Sequence, residues 1–295
     1  MSEYKVAFKN DTVIISGLDH FKPELVFDCG QCFNFEVTED GGFSGVVLDR
    51  VVTVYPVDES TFKLCNVDEK FFSYISSYFC LDDDYDTVCR DIISSLEKEG
   101  RDTDVMKKAM EAGRGIRLMK QDKWQTLCSF IISQNNNIPR IKKIIGTLSR
   151  EFGTPFTYEG KTYYTFPTAK ALYEAGEDAI FECKTGFRAK YIYDAASRVV
   201  KGQIDLELID SMTTCEAAQC LMEIKGVGPK VAACVLLFGY GKKDAFPIDV
   251  WVKKVLSKYY DEEFSPEYFG KYSGIAQQYL FYYERYLVSK NIISN

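Results

Sequence analysis

Residues 216–239 read Glu-Ala-Ala-Gln-Cys-Leu-Met-Glu-Ile-Lys-Gly-Val-Gly-Pro-Lys-Val-Ala-Ala-Cys-Val-Leu-Leu-Phe-Gly. Leu221 and Ile224 close the apolar face of one helix, Gly226-Val227-Gly228 makes a tight turn, and Pro229 suits the first turn of the next helix. That second helix continues through Val231, Ala232, Val235 and Leu236. Two glycines between helices leave backbone N–H groups unpaired and uncovered by any Cβ, and amides at a helix N-terminus bind an anion such as phosphate. The pattern is a helix-hairpin-helix, a device that grips DNA backbones without reading sequence; a glycine-rich turn in a plain helical bundle remains the alternative on these residues alone.

Some twenty residues on comes Phe246-Pro247-Ile248-Asp249-Val250-Trp251-Val252. Asp249 stands before the apolar-periodic stretch Val250, Val252, Val255 and Leu256, as a helix N-cap should. Upstream, residues 4 to about 66 read as β-structure: Thr12–Ile15, Phe33–Val37 and Val51–Tyr55 are β-branched and aromatic runs separated by turns such as Asp40-Gly41-Gly42. From about 70 helical spacing takes over, with Phe71, Phe72, Ile75 and Phe79, then Val88, Ile92, Ile93 and Leu96. After 104 nearly everything reads as helix. The expected fold class is α+β: an N-terminal antiparallel sheet domain with helices (1–115), then a mainly α-helical region (116–295).

Composition agrees with a globular protein. Hydrophobic residues make up 46% and charged residues 27% of the 295. No 18-residue apolar run and no signal-peptide pattern in MSEYKVAFKN point to a cytoplasmic protein that does not enter membranes. The net charge of −7 argues at first against nucleic acid, but the acidity is uneven. Residues 1–120 hold 14 basic against 23 acidic side chains, whereas the rest hold 22 against 20. A DNA face, if present, is expected in the second part, and the charge balance decides nothing alone. Cysteines are scattered, and Cys29-x-x-Cys32 has no second pair or histidine nearby to make it a metal site.

The hairpin, the Gly/Pro loop and the aspartate together resemble the helix-hairpin-helix DNA glycosylase superfamily. Lys230, two residues after the second hairpin glycine, marks its bifunctional branch. Further segments resemble one family, the 8-oxoguanine DNA glycosylases of eukaryotic type: Arg117–Asp122, Ile131-Ile132-Ser133-Gln134-Asn135-Asn136-Asn137-Ile138-Pro139-Arg140-Ile141, Gly186–Tyr191, Gly274–Phe281 and Gly30-Gln31-Cys32-Phe33, in the family's order.

That resemblance implies roles. Lys230 would attack the sugar C1′, with Asp249 stabilising positive charge on the sugar. Attack requires the neutral amine, and a helix N-terminus disfavours the cation by about 0.3–1 kcal/mol. Gly30, Cys234, Gln277 and Phe281 would form the lesion-base pocket. The Gly30 carbonyl would accept from the N7–H that distinguishes 8-oxoguanine from guanine, whose N7 is an acceptor. Left to themselves, Cys234 and Phe281 read as core residues. Phe187 would wedge into the gap left by the extruded base, and Asn135, Arg140 and Arg188 would grip the partner cytosine. Gly226, Val227, Gly228 and Lys230 would hold phosphate.

The implied partner is double-stranded DNA containing 8-oxoguanine, bound by a monomer without metal or cofactor. One position departs from the family: Trp251 stands where a phosphate-contacting histidine is common, and His20, the single histidine, lies elsewhere. A glycosylase for alkylated bases or for another oxidised purine would not need Lys230 together with Gly30, Gln277 and Phe281. A module that only binds DNA would need neither Lys230 nor Asp249.

Overall fold

Alternation of apolar and polar residues over the first 65 positions produces strands that bury one face. The computed structural model describes residues 4–290. Six strands, β1 (Lys5–Lys9), β2 (Thr12–Ser16), β3 (Phe35–Val37), β4 (Phe43–Val47), β5 (Arg50–Pro56) and β6 (Thr61–Cys65), make one antiparallel sheet in the order β1-β2-β6-β5-β4-β3. The short helix α1 (Pro23–Val26) lies between β2 and β3. Val13 and Ile15, Val52 and Val54, and Phe62 and Leu64 are buried from neighbouring strands. Helix α2 (Glu69–Tyr78) joins this core through Ile75 and Tyr78, and Asp68 caps it by accepting from the Phe71 N–H at 2.7 Å.

Helices follow in order: α3 (Tyr85–Lys98), α4 (Asp104–Ala112), α5 (Lys123–Ser133), α6 (Ile138–Phe152), α7 (Ala169–Ile180), α8 (Ala189–Val200), α9 (Thr214–Met222), α10 (Pro229–Gly239), α11 (Val250–Tyr259) and α12 (Ser273–Ser289). The α+β architecture expected from the sequence is the one observed. The reading of the second region as nearly all helix is corrected at one place. Between α6 and α7 a hairpin, β7 (Pro155–Tyr158) and β8 (Lys161–Tyr164), pairs Tyr158 with Lys161 across a two-residue turn. Both turn residues, Glu159 and Gly160, have positive φ (47° and 74°), the twist that suits a tight hairpin.

Two hydrophobic cores divide the chain, and they interleave. The sheet core runs through Leu81 and takes in Met119. The helical core begins with Tyr85, includes α3 and α4, and draws Cys29 and Phe33 from the N-terminal part. By packing, then, α3 and α4 side with the helical region although they precede residue 115.

The seam is built from polar backbone. Arg117, 1% exposed, donates to the carbonyls of Cys80 (2.6 Å), Asp83 (3.1 Å), Asp19 (3.1 Å) and His20 (3.3 Å), and its guanidinium lies 4.6 Å from the Tyr85 ring centre. The residues after it bond alternately to both sides: Leu118 N–H to Tyr85 Oη, Lys120 N–H to Tyr78 O, and Gln121 N–H to Phe238 O on α10. No helix among the described residues is long and apolar enough to cross a membrane.

Candidate active site

Helix α9 opens with a capping box between Thr213 and Glu216, and the chain turns at Gly226-Val227-Gly228 into α10. The two glycines are there for different reasons. Gly226 has φ +81°, and a Cβ on it would meet the Tyr191 ring of α8 at 2.4 Å. Gly228 is extended, with open space where its Cβ would stand, so it leaves the hairpin amides uncovered. Val227 is buried and holds the turn to the core.

Because Lys230 and Cys234 are one helical turn apart on α10, they face the same space. A small cavity of about 50 Å³, open to solvent, is lined by Gly30, Lys230, Cys234, Asp249, Gln277 and Phe281 together with Cys29, Phe130, Phe238, Pro247 and Gln278. All six residues expected for catalysis and the lesion pocket thus meet in one place. A larger cleft of about 340 Å³ between β4 and α6 contains none of them, so size alone does not locate the site.

Each wall has a local cause. Asp249 caps α11, its Oδ1 accepting from the Val252 N–H at 2.8 Å; Oδ2 has no protein partner among the described residues. Lys230 lies 3.5 Å (Nζ) from the Ser133 hydroxyl and 5.5 Å from the Phe130 ring centre. Gln277 is 4% exposed, and its Oε1 is buried with no hydrogen-bond partner among the described residues. Burial pushes the Cys234 thiol up to about 11, although the adjacent Lys230 pulls the other way. Cys29 is pushed up to about 11 by the same cause. Both cysteines of the C-x-x-C are buried and free, and among the described residues no group of three or more His, Cys, Asp or Glu side chains is arranged to hold a metal.

Gly30 has φ +77°, and a Cβ there would touch the Phe281 ring at 3.5 Å. Its turn is fastened on both flanks by residues that the motif reading did not single out. Gln278 of α12 donates to the Cys29 carbonyl at 2.6 Å. Gln31, 1% exposed, donates to the carbonyls of Val26 and Arg117 and accepts from the Met119 N–H, each at 2.9 Å, while its own carbonyl accepts from Gln121 at 2.7 Å. A buried glutamine inside the quoted Gly30–Phe33 stretch was the available signal, since such a side chain must find partners.

The second group of expected residues sits on two adjoining turns. Asn135, with φ +47°, and Arg140 are exposed on the turn from α5 to α6 and at the start of α6. Phe187 is 49% exposed at the tip before α8, its ring edge-on to Tyr191 at 6.1 Å. Arg188 differs from the expectation of a free reader: it is 2% exposed, donating to the carbonyls of Gln134, Asn135 (2.9 Å) and Thr185 (3.2 Å) and stacking over Phe187 at 4.4 Å. Burial and the neighbouring Arg140 lower its proton affinity. This guanidinium therefore ties the loop at Thr185–Phe187 to the Gln134–Asn135 turn.

Trp251 is half-buried, with the Lys254 ammonium 5.0 Å from its ring centre, so a positive charge stands beside the indole. His20 pairs with Asp86 at 2.9 Å in the seam between the cores.

A hairpin between helices, followed by a pocket that holds a lysine and an aspartate, defines a helix-hairpin-helix base-excision protein. The comparisons agree: residues 13–127 match the family model "8-oxoguanine DNA glycosylase, N-terminal domain" and residues 128–267 match "HhH-GPD superfamily base excision DNA repair protein". The 8-oxoguanine glycosylase/lyase of Clostridium acetobutylicum in its apo form is 40% identical, with a TM-score of 0.88, over 96% of this chain and 100% of that one. Its complex with double-stranded DNA containing cytosine opposite 8-oxoguanine matches with a TM-score of 0.87 at 38% identity, covering 99% and 100%. The chain belongs to the 8-oxoguanine DNA glycosylase family. A probable N-glycosylase/DNA lyase of Methanothermobacter thermautotrophicus is 30% identical over 60% of this chain, and the N-glycosylase/DNA lyase of Saccharomyces cerevisiae 37% over 50%. The match spans 65% of the archaeal relative and 42% of the yeast one.

Proposed function

We propose that this protein is a bifunctional DNA glycosylase and AP lyase that excises 8-oxoguanine, preferentially opposite cytosine, through base flipping and a Schiff base on Lys230. The observation that carries the reading is the meeting of Lys230 and Asp249 with Gly30, Gln277 and Phe281 in one cavity. A DNA-binding module has no use for the first pair, and an alkylated-base glycosylase has no use for this combination of pocket residues.

The lesion nucleotide leaves the stack at a cost of a few kcal/mol, and Phe187 fills the gap. Arg140, Asn135 and Arg188 then meet the orphaned cytosine, whose N3 and O2 accept and whose N4 amine donates. For Arg188 this entails giving up at least one of its backbone carbonyl partners. The extruded base slides between Phe281 and Cys234, and the unpartnered Gln277 Oε1 accepts from its Watson–Crick edge. The Gly30 carbonyl takes the N7–H. Pockets built on a buried hydrogen bond reject an analogue lacking it by about 10⁴–10⁵.

The neutral Nζ of Lys230 attacks C1′, the glycosidic bond breaks, and its electron pair leaves with the base, which takes up a proton. Asp249 stabilises the positive charge on the sugar. Ring opening gives the imine, and loss of the C2′ proton then expels the 3′ phosphate. The test is a labelled duplex with one 8-oxoguanine opposite cytosine, with borohydride in a parallel sample. Strand cleavage and a trapped adduct, both absent in Lys230→Gln, are expected. Neither product from folded protein would refute the assignment.

A further inference from the structure

In the free protein the Lys230 ammonium forms no ion pair with Asp249 or any other described carboxylate; the end of α5 receives it. Ser133 is the last residue of α5, and its hydroxyl donates its single proton to the Phe130 carbonyl at 2.8 Å. With that proton engaged, the oxygen facing Lys230 Nζ at 3.5 Å can only accept. Phe130, beneath the same ammonium, is 3% exposed and cannot swing away. Phe238 stacks on it at 5.4 Å from α10 itself, and Phe33, three residues past Gly30, packs edge-on at 5.7 Å. The floor under the lysine is thereby referenced to both the nucleophile's helix and the lesion-recognition turn.

We infer that Ser133 is a positioning residue for Lys230, accepting from its Nζ so that the amine is held over Phe130 and its lone pair is kept pointed across the cavity rather than into solvent. The inference rests on the reading of Lys230 as nucleophile. Ser133 touches neither substrate nor reacting carbon; it acts through the lysine. The titratable groups lining the cavity around the amine are Cys234 on the same helix, Cys29 beside Gly30, and Asp249 at the start of α11; the lining side chains of α12 and α5 are neutral, and Arg285 of α12 stands against the Phe281 ring at 5.4 Å. Both thiols are pushed up to about 11 and stay neutral at pH 7, so the charge balance there rests on Asp249 and the hydroxyl.

Losing the acceptor leaves the amine less well aimed, which lowers the single-turnover rate by about 10- to 100-fold. The experiment measures single-turnover excision from an 8-oxoguanine:cytosine duplex, with duplex affinity and thermal midpoint, for the full chain and for Ser133→Ala, Ser133→Thr and Lys230→Gln. Expected are a lowered rate in Ser133→Ala with unchanged duplex affinity and thermal midpoint, and recovery in Ser133→Thr, which keeps a hydroxyl. An unchanged rate in Ser133→Ala overturns the inference, as does a fall in rate matched by weaker binding and no recovery with threonine. Borohydride trapping that persists in Lys230→Gln instead sinks the underlying reading of the lysine, and the two failures are thus told apart.

Discussion

Replacing Gly226 by alanine tests whether the hairpin geometry is required by packing or only by DNA. The left-handed φ of +81° costs an alanine about 1–2 kcal/mol. The added methyl also arrives 2.4 Å from the Tyr191 ring, on three of its carbons, where nothing can give except by moving the ring or the turn. Forced overpacking of this kind costs about 1–3 kcal/mol. Together the loss is about 2–5 kcal/mol, a large share of the stability of an ordinary domain. Urea unfolding of wild type, Gly226→Ala, Tyr191→Ala and the double variant apportions the two parts. In the Tyr191→Ala background the alanine at 226 should cost only its backbone share, about 1–2 kcal/mol. The companion Gly228→Ala, extended and facing open space, should unfold within a few tenths of a kcal/mol of wild type yet bind duplex DNA more weakly, since its methyl covers the hairpin amides. Equal penalties for Gly226→Ala in both backgrounds would refute the steric argument, and a Gly228→Ala variant as unstable as Gly226→Ala would refute the division of labour.

Two further variants separate functions that share one atom group or one pocket. Asp249→Asn keeps a good N-cap for α11 and should leave the thermal midpoint almost unchanged while excision falls by about 10² or more; Asp249→Ala should lose the activity and about 1 kcal/mol of stability as well, so equal midpoints for the two would count against the capping role. Cys234, raised to about 11, is a neutral thiol until the pH nears that value. At pH 8 its thiolate fraction is about 10⁻³, so iodoacetamide should label exposed Cys215 at once and Cys234 slowly, with Cys234 labelling rising about tenfold per pH unit; fast labelling of Cys234 at pH 8 would refute the buried-thiol assignment.

What could be read from the chain beforehand follows a physical division. The hairpin, Lys230 and the Asp249 cap are local devices whose signals lie within one or two helical turns, and the six pocket residues converge as the family resemblance implied. The β7–β8 hairpin is also local, but its signal is weak: Glu159-Gly160 between aromatic and β-branched runs carries the turn chemistry, yet a strand pair of four residues each is a faint pattern within a helical stretch. Ser133 was not legible, because its role depends on the end of α5 meeting α10 across 97 positions. Arg188 shows a different limit. Residue type marks a guanidinium, but only the packed turn reveals that in the free protein its donors already hold the carbonyls of Gln134, Asn135 and Thr185. The packing allegiance of α3 and α4 is likewise set by their contacts with the helical core.

The seam around Arg117 bears on what happens to the duplex. A guanidinium bonded to four carbonyls from two chain segments, flanked by amides that bond alternately to either core, resists any hinge between sheet and helices. Breaking it would leave several buried acceptors bare at once, at about 1–3 kcal/mol each. On the base flipping proposed above, the protein would act as an anvil, and the bending needed to extrude a nucleotide would fall on the nucleic acid. DNA stiffness around a lesion then becomes a determinant of how readily that lesion is engaged, so that flanking pyrimidine–purine steps, which kink easily, should favour engagement over stiff A-tracts even where the lesion itself is identical.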